Sequence, residues 1–590
     1  MSLQHCFSLY QQHAWTDALH ALSALPENVK YSEDAIRMAF HCQVNSGKLT
    51  DAFARLSDCF EKRHGTTGML NDLVAVTSKS GQVMAGLNKA AQLSAKLTSL
   101  TGADHGVVSV LLQHGKHSAH ATLLQRICTD NTLSDTVMKQ CADWLRERQF
   151  YREALTVTDE ALNKATSNTL LMDKAITLRL MGRPKDAIAI LARLDNAITH
   201  FAIKHNLGNA YSDMGDLSTA REYFKAAMSL NPQYFDSHIN YHNINWELGE
   251  TDGYGDSVVE MVEQRQAYPR SLFVLLNLLM QATYYDSALE LLEKHQAHID
   301  KAAYAYFRSK LLTLNGDYNA ALDAYAMLET VTQPGPDVVI EKANALIGVG
   351  RYADAELLLT ELLHQPMALR EQNIAKATLN TCRRLQHAPT LERHLIREFQ
   401  LETDRLAYSL DDVVSEAKVL HTAKHAPLNQ SVNGGSQTRG HLFPAQTPAL
   451  EWVEAFIRDK VREYLNDDST GLRERTGLPE EHPGDIYFTG SWSVLLNGQG
   501  YHNSHYHSKA HLSGVIYLVV PDCVEEQTQK PGWLHFGMPW LNHAADISPE
   551  MEVKPVPGKL VLFPSYTWHG TNPIESGASR MTIAFDVLIR

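Results

Sequence analysis

The chain lacks any apolar run long enough to span a bilayer. Its polar start, MSLQHCFSLYQQH, shows no basic stretch ahead of an apolar segment, so neither a membrane span nor a secretory leader is predicted and a soluble, cytoplasmic protein is expected. Positive charge is also short: 53 Lys plus Arg face 67 Asp plus Glu, and the net charge of −14 argues against non-specific attachment to nucleic acid or anionic membranes. Cysteine is sparse. The seven residues Cys6, Cys42, Cys59, Cys128, Cys141, Cys382 and Cys523 are scattered without CxxC spacing, which suits buried thiols in a reducing compartment better than a disulfide or zinc framework. What the 590 residues do contain is 44% apolar against 20% charged side chains, enough to bury several cores.

A repeat occupies the first two thirds. The stretch FAIKHNLGNAYSDMGDLSTAREYFKAAMSLNPQY puts Leu207, Gly208, Tyr211, Ala220, Phe224, Ala227 and Pro232 at the offsets of a tetratricopeptide unit. Gly208 and Ala220 are small where two helices approach, Tyr211 and Phe224 fill the space between units, and Pro232 ends the second helix. The small residue of the second helix recurs at Ala18, Ala52, Ala85, Ala154, Ala187, Ala220, Ala288, Ala321 and Ala355, with His120 and Tyr254 marking poorer units, in steps of 33 to 35 residues. Five positions earlier stand Gly47, Gly115, Gly182, Gly215, Gly249, Gly316 and Gly350, where a left-handed residue lets the first helix end. Residues 1–395 are therefore predicted to form an all-α, right-handed solenoid that resembles tetratricopeptide proteins, most strongly from Cys141 to Leu363. Six positions before the turn lie Asn209, Asn243, Asn277, Lys310 and Asn344, joined by Asn206 and Asn240. Such a ladder could hydrogen-bond an extended peptide in the groove, although Asn is also common at these repeat positions.

Between Glu402 and Tyr487 the period fails, and we read 396–480 as a helical and loop connector with one helix from Pro448 to Leu465. Its Gly-rich segment NQSVNGGSQ, 429–437, lacks the ending of a phosphate loop and reads as a connecting loop. Residues 481–590 change character: strands are predicted at Ile486–Leu496, Gly514–Val520, Trp533–Phe536, Lys559–Phe563 and Met581–Ile589, the pattern of a double-stranded β-helix, or jelly roll.

The chemistry concentrates in this β-module. In YHNSHYHSKAH, His505 and His507 share a face if the segment is extended, and His569 in PSYTWHG follows an apolar strand. Two histidines on one edge and a third from a distant strand can form one face of an octahedron, leaving positions open for substrate and oxygen. Arg580 opens the last strand with Thr582 on the same face, and a buried guanidinium suits a carboxylate. With 29 histidines, an HxH pair alone also arises by chance.

The order HxH, SGVIYLVVP, PGKLVLFPSYTWHG, RMTIAF resembles the iron(II)/2-oxoglutarate-dependent oxygenase family over Trp492–Val587, and LNQSVNGGSQTRGHLF is similar to the segment ahead of the oxygenase module in its tetratricopeptide members. The resemblance implies iron(II) held by His505 and His569, with His507 at the ligand position two residues after the first. It also implies 2-oxoglutarate held by Arg580, Thr582 and Tyr517. The wider superfamily has a carboxylate where this chain has His507. Either three histidines hold the metal or an anion comes from elsewhere, Asp522 and Asp546 being loop candidates. The implied activity is hydroxylation of a side chain on a protein or peptide captured by the solenoid. The insert Cys523–Lys554 would then act as a lid and Trp540 would grip substrate. Two alternatives stand beside it: a tetratricopeptide scaffold with an inactive jelly roll, and a three-histidine dioxygenase that does not use 2-oxoglutarate. No motif names the substrate or the oligomeric state.

Overall fold

The computed structural model of the chain describes residues 2–62, 64–116, 118–402, 408–421, 431–438, 442–443, 447–476, 484–539 and 547–589. Trp540 and Asp546, expected at a lid and as an alternative ligand, lie outside the described residues. The fold is a helical repeat solenoid followed by an antiparallel β-region. It gathers into two compact units, Met1–Leu178 and Arg179–Arg590.

Helices alternate with short turns at the predicted period, as in Glu33–Asn45 with Leu49–Glu61 in the first unit and Phe201–Asp213 with Leu217–Leu230 in the second. Ser32, Thr66, Asp104, Ser134 and Asp216 cap helix N-termini by accepting backbone N–H groups that the helix leaves unpaired. The marker alanines Ala52, Ala154, Ala187, Ala220, Ala288, Ala321 and Ala355 are fully buried. A Cβ on Gly208 would lie 2.7 Å from Phe224 Cε1, which is why nothing larger fits there.

The turn position behaves as a conformational requirement more than as a glycine requirement. Gly47, Gly182, Gly215, Gly249, Gly316 and Gly350 are left-handed, and so are His13, Gln149 and Thr283 at the same offset. Two predictions are corrected. Gly115 is extended, at φ −62° and ψ 141°, and ends its helix without a left-handed residue. In the third unit the pattern sits one residue later: Gly81 is left-handed and Gly86, not Ala85, makes the close approach, its missing Cβ leaving room for Thr77.

Among the described residues nine strands follow: β1 Arg397–Gln400, β2 Val432–Gln437, β3 Ile486–His502, β4 Leu512–Val519, β5 Leu534–Phe536, β6 Met551–Val553, β7 Lys559–Pro564, β8 His569–Thr571 and β9 Ser579–Ile589. They form a six-stranded antiparallel sheet ordered β1-β7-β4-β9-β3-β2 and a three-stranded one ordered β6-β5-β8. Successive side chains of the large sheet point to opposite faces, and apolar groups are buried on both. Ile516, Leu560, Leu562, Ile583 and Phe585 pack against Leu450, Val453, Ile457 and Val461 of the helix Pro448–Asn466. Tyr517, Val561 and Phe563 point the other way, onto Leu534, Phe536 and Val553 of the small sheet, with the Phe536 and Phe563 rings 5.1 Å apart.

The connector and the insert differ from their sequence readings. The part of the Gly-rich segment that is described is strand β2, paired with β3, and β1 extends the opposite edge. The insert Cys523–Lys554 supplies β5 and β6, so much of the expected lid is the small sheet itself.

The long helix that ends the solenoid, Leu369–Leu385, is bonded directly to the β-region. Asn373 Nδ2 donates to Ser508 O (3.1 Å) and Ala510 O (2.7 Å), Trp568 Nε1 donates to Ala377 O (3.0 Å), and Arg384 donates to Gly537 O and Ser548 O. Just beyond it, the Glu550 carboxylate accepts from the backbone of Thr390 and Leu391.

Phe224 is 1% exposed and wedged against Gly208. Phe224→Ala is expected to remove roughly 3–5 kcal/mol from this repeat. Amide exchange should show the loss across Phe201–Asp213 and Leu217–Leu230.

Candidate metal centre

Alternation along β9 sends Met581, Ile583, Phe585 and Val587 into the helix-backed core and leaves Arg580, Thr582 and Asp586 on the opposite face. On that face lies a cavity of about 810 Å³, lined among others by His505, His507, His569, Arg580, Tyr517 and Thr582. Thr283, in a left-handed turn of the solenoid, also contributes to its wall.

The three histidines converge. One ligating atom from each of His505, His507 and His569 lies within 4.8 Å of the other two. Backbone pairing puts the first and third side by side: His505 N donates to His569 O at 2.8 Å, and His569 N to His505 O at 2.9 Å. His507 N donates to Ser565 O at 2.8 Å, tying its loop to the end of β7. The His505 and His569 ring centroids are 4.2 Å apart, and each lies just over 5 Å from the ring of His507.

Each ring is oriented through the same nitrogen. His505 Nδ1 meets Asn503 O at 2.8 Å, His569 Nδ1 meets Thr567 O at 2.9 Å, and His507 Nδ1 meets Asp586 Oδ2 at 2.7 Å. A carbonyl or carboxylate oxygen can only accept, so Nδ1 carries the proton in all three. In a neutral ring that leaves the lone pair on Nε2, the arrangement in which a histidine binds a metal while its other nitrogen is held in place. Burial, reinforced by the His507 charge, pushes His505 down to about 3, and burial followed by His505 and His507 drives His569 well below the usual imidazole value. Burial also presses on His507, but the charge and hydrogen bond of Asp586 leave it raised. Trp492 stacks on the His507 ring, 5.8 Å between centroids and 6° between planes.

Next to the imidazoles is a guanidinium without an anion. Arg580 is 2% exposed, donates Nη1 to Gly532 O at 2.7 Å, and has Nε unpartnered; among the described residues no carboxylate pairs with it. Burial lowers its pKa from the usual arginine value. Tyr517, opposite Thr582 across the β4 and β9 pairing, is buried with its hydroxyl unpartnered and its pKa pushed up to about 12 by burial. Its ring centroid is 5.8 Å from Arg580 Cζ. A buried unpaired cation costs several kcal/mol, a cost that an anionic ligand removes. The residues present thus fit both groups implied by the sequence resemblance, a divalent metal on three Nε2 atoms and a carboxylate on Arg580.

Comparison with known proteins adds the family. Residues 490–586 match the family model described as "Putative 2OG-Fe(II) oxygenase", and residues 201–234 match "Tetratricopeptide repeat". The chain is similar to 2OG-Fe(II) oxygenases over the first of these segments and to tetratricopeptide repeats over the second. No curated protein matches it significantly. Among solved structures, a Pseudomonas putida prolyl-4-hydroxylase is 18% identical, covering 36% of this chain and 99% of its own, with a TM-score of 0.24. Yeast Tom70 is 14% identical over 80% of this chain and 97% of its own, with a TM-score of 0.32. A tetratricopeptide repeat protein from Parabacteroides merdae is 13% identical over 42% and 97%, with a TM-score of 0.30.

Other predicted residues fall elsewhere. Asp522 is exposed in a short 3-10 turn outside the group of three histidines. The asparagines of the solenoid are already engaged: Asn209 Oδ1 accepts from Asn240, Asn243 Oδ1 accepts from the Tyr254 hydroxyl, Asn277 Nδ2 donates to Phe273 O, and Asn344 bonds Glu341. His502 lines the cavity of the oxygenase domain and bonds Ser431 through Nδ1, whereas His511 Nδ1 accepts from Ile589 N.

Asn373 and Asp586 went unrecognised. Asp586 carried a signal, as a lone acid inside the apolar run RMTIAFDV. Asn373 carried none, because its partners lie 135 and 137 residues away. Its two donors hold the loop that follows His507, so Asn373→Ala is expected to cost about 1–3 kcal/mol of local stability by leaving buried carbonyls unpaired. Amide exchange in 503–511 should accelerate while that of β3 stays unchanged.

Proposed function

We propose that the chain is an iron(II)- and 2-oxoglutarate-dependent dioxygenase that hydroxylates a side chain of a protein or peptide bound by its repeats. The observation that carries this reading is the convergence of three metal-ready Nε2 atoms and one unpaired buried guanidinium on a single cavity. In this reading His505, His507 and His569 hold iron(II). Arg580, with Thr582 and Tyr517, holds the far carboxylate of 2-oxoglutarate, for which a planar fork of donors is matched. Bound there, iron(II) with 2-oxoglutarate and dioxygen supplies the oxidising power for C–H hydroxylation, with the co-substrate decarboxylated to succinate.

The chain's own residues orient and exclude. The Nδ1 hydrogen bonds and the Trp492 stack fix the rings before any metal arrives, and Phe563 packs 4.6 Å from His569 between ring centroids, keeping water from that side. Substrate approach past the solenoid is supported by Thr283 in the cavity wall and by the exposed Asn277 on the helix just before it. A tethered repeat array raises the local concentration of a weakly held peptide at the site. The scaffold alternative leaves Arg580 and the three matched rings without a reason to be there.

Anaerobic titration with iron(II) and 2-oxoglutarate, followed by air, tests the reading. Succinate release is expected from the wild type, and its absence even with candidate peptides would favour the scaffold. His569→Ala should abolish metal binding. Arg580→Ala should keep the metal and weaken 2-oxoglutarate roughly 10–100-fold, the loss of a charge-assisted pair worth about 1.5–3 kcal/mol. Equal 2-oxoglutarate affinity in both proteins removes Arg580 from its role.

A further inference from the structure

His507 stands where the wider superfamily has a carboxylate, yet the structure puts a carboxylate directly behind it. Asp586 Oδ2 accepts from His507 Nδ1 at 2.7 Å, and its other oxygen accepts from the Ser513 hydroxyl at 2.6 Å. Ser513 bonds the Ser565 hydroxyl at 3.0 Å, and the Ser565 carbonyl accepts the backbone N–H of His507. The chain of bonds closes on itself, holding ring and backbone of His507 through one buried acid. The arrangement is asymmetric: His505 and His569 lean on neutral carbonyls, and only the residue at the carboxylate position leans on an anion.

Resting on the oxygenase reading above, we infer that Asp586 is a positioning residue that supplies, through His507, the negative charge missing from the ligand set. An imidazole whose Nδ1–H is given to a carboxylate is a stronger electron donor at Nε2 than one given to a carbonyl. His507 and Asp586 together then act on the metal as an anionic ligand of two residues. The large sheet fixes the geometry: β9 carries Asp586, and β4, paired with it in register Ser513↔Asp586, carries the serine that anchors it.

Asp586→Asn isolates the charge, because the amide oxygen can still accept from His507 while its NH2 faces the Ser513 oxygen. Cobalt(II) added to the full-length protein without 2-oxoglutarate serves as the probe, read by its visible absorption and by titration. Asp586→Asn is expected to weaken cobalt roughly 10–100-fold and to shift the visible bands. Ser513→Ala, which keeps the charge, is expected to change affinity less than threefold. Should Asp586→Asn fold poorly, the double variant His507→Asp with Asp586→Asn moves the charge into the ligand position. It is expected to recover cobalt binding to within tenfold of wild type, which no role as a packing element would produce. Unchanged cobalt affinity and spectrum in Asp586→Asn, or no recovery in the double variant, overturns the inference while leaving the oxygenase reading in place. A wild type that takes up no cobalt overturns that reading and the inference with it.

Discussion

The site depends on three Nδ1–H donors that have nowhere else to go. Each is given to an oxygen that can only accept, so in a neutral ring the lone pair stays on Nε2, and one ligating nitrogen from each ring lies within 4.8 Å of the other two. Everything around the rings serves to keep those donors satisfied. The His505 and His569 backbones pair with each other, the loop bearing His507 is tied to the end of β7, and β9 delivers Asp586. Burial then keeps His505 and His569 unprotonated, the state in which nitrogen can bind a cation.

The same burial that suits the imidazoles is costly for Arg580. A guanidinium 2% exposed, with one nitrogen unpartnered, is poised for an anion and destabilising without one. The unpaired cation gives the Arg580 end of the cavity positive character, while the neutral rings of His505 and His569 add no charge of their own. Among the described residues Asp586 is the one carboxylate bonded to a ring of the three-histidine group, and it faces His507 rather than Arg580.

What could be read from the residues followed periodicity. A period near 34 revealed the helical units, because every unit repeats the same close approach, and short runs rich in β-branched and aromatic residues between Gly and Pro revealed β3, β4, β7 and β9. β1, β6 and β8 were illegible because three or four residues carry little pattern and their pairing is set by partners far along the chain. The Gly-rich β2 was masked by its composition; Gly434 and Gly435 are small because Gly500 and the β3 backbone press against them. Within the site, motif order pointed to the histidines and Arg580. The bonds that aim them divide in two: those from the Asn503 and Thr567 carbonyls are local but come from backbone that any residue supplies, and those from Asp586 and Asn373 come from far along the chain.

The helix Leu369–Leu385 belongs by pattern to the repeats and by bonding to the metal loops, through Asn373 on one side of His507 and Trp568 beside His569. It is also made first. During synthesis its donors must wait until the later strands emerge. A cut placed between repeats and strands would leave the loops that carry His507 and His569 without the surface they close against.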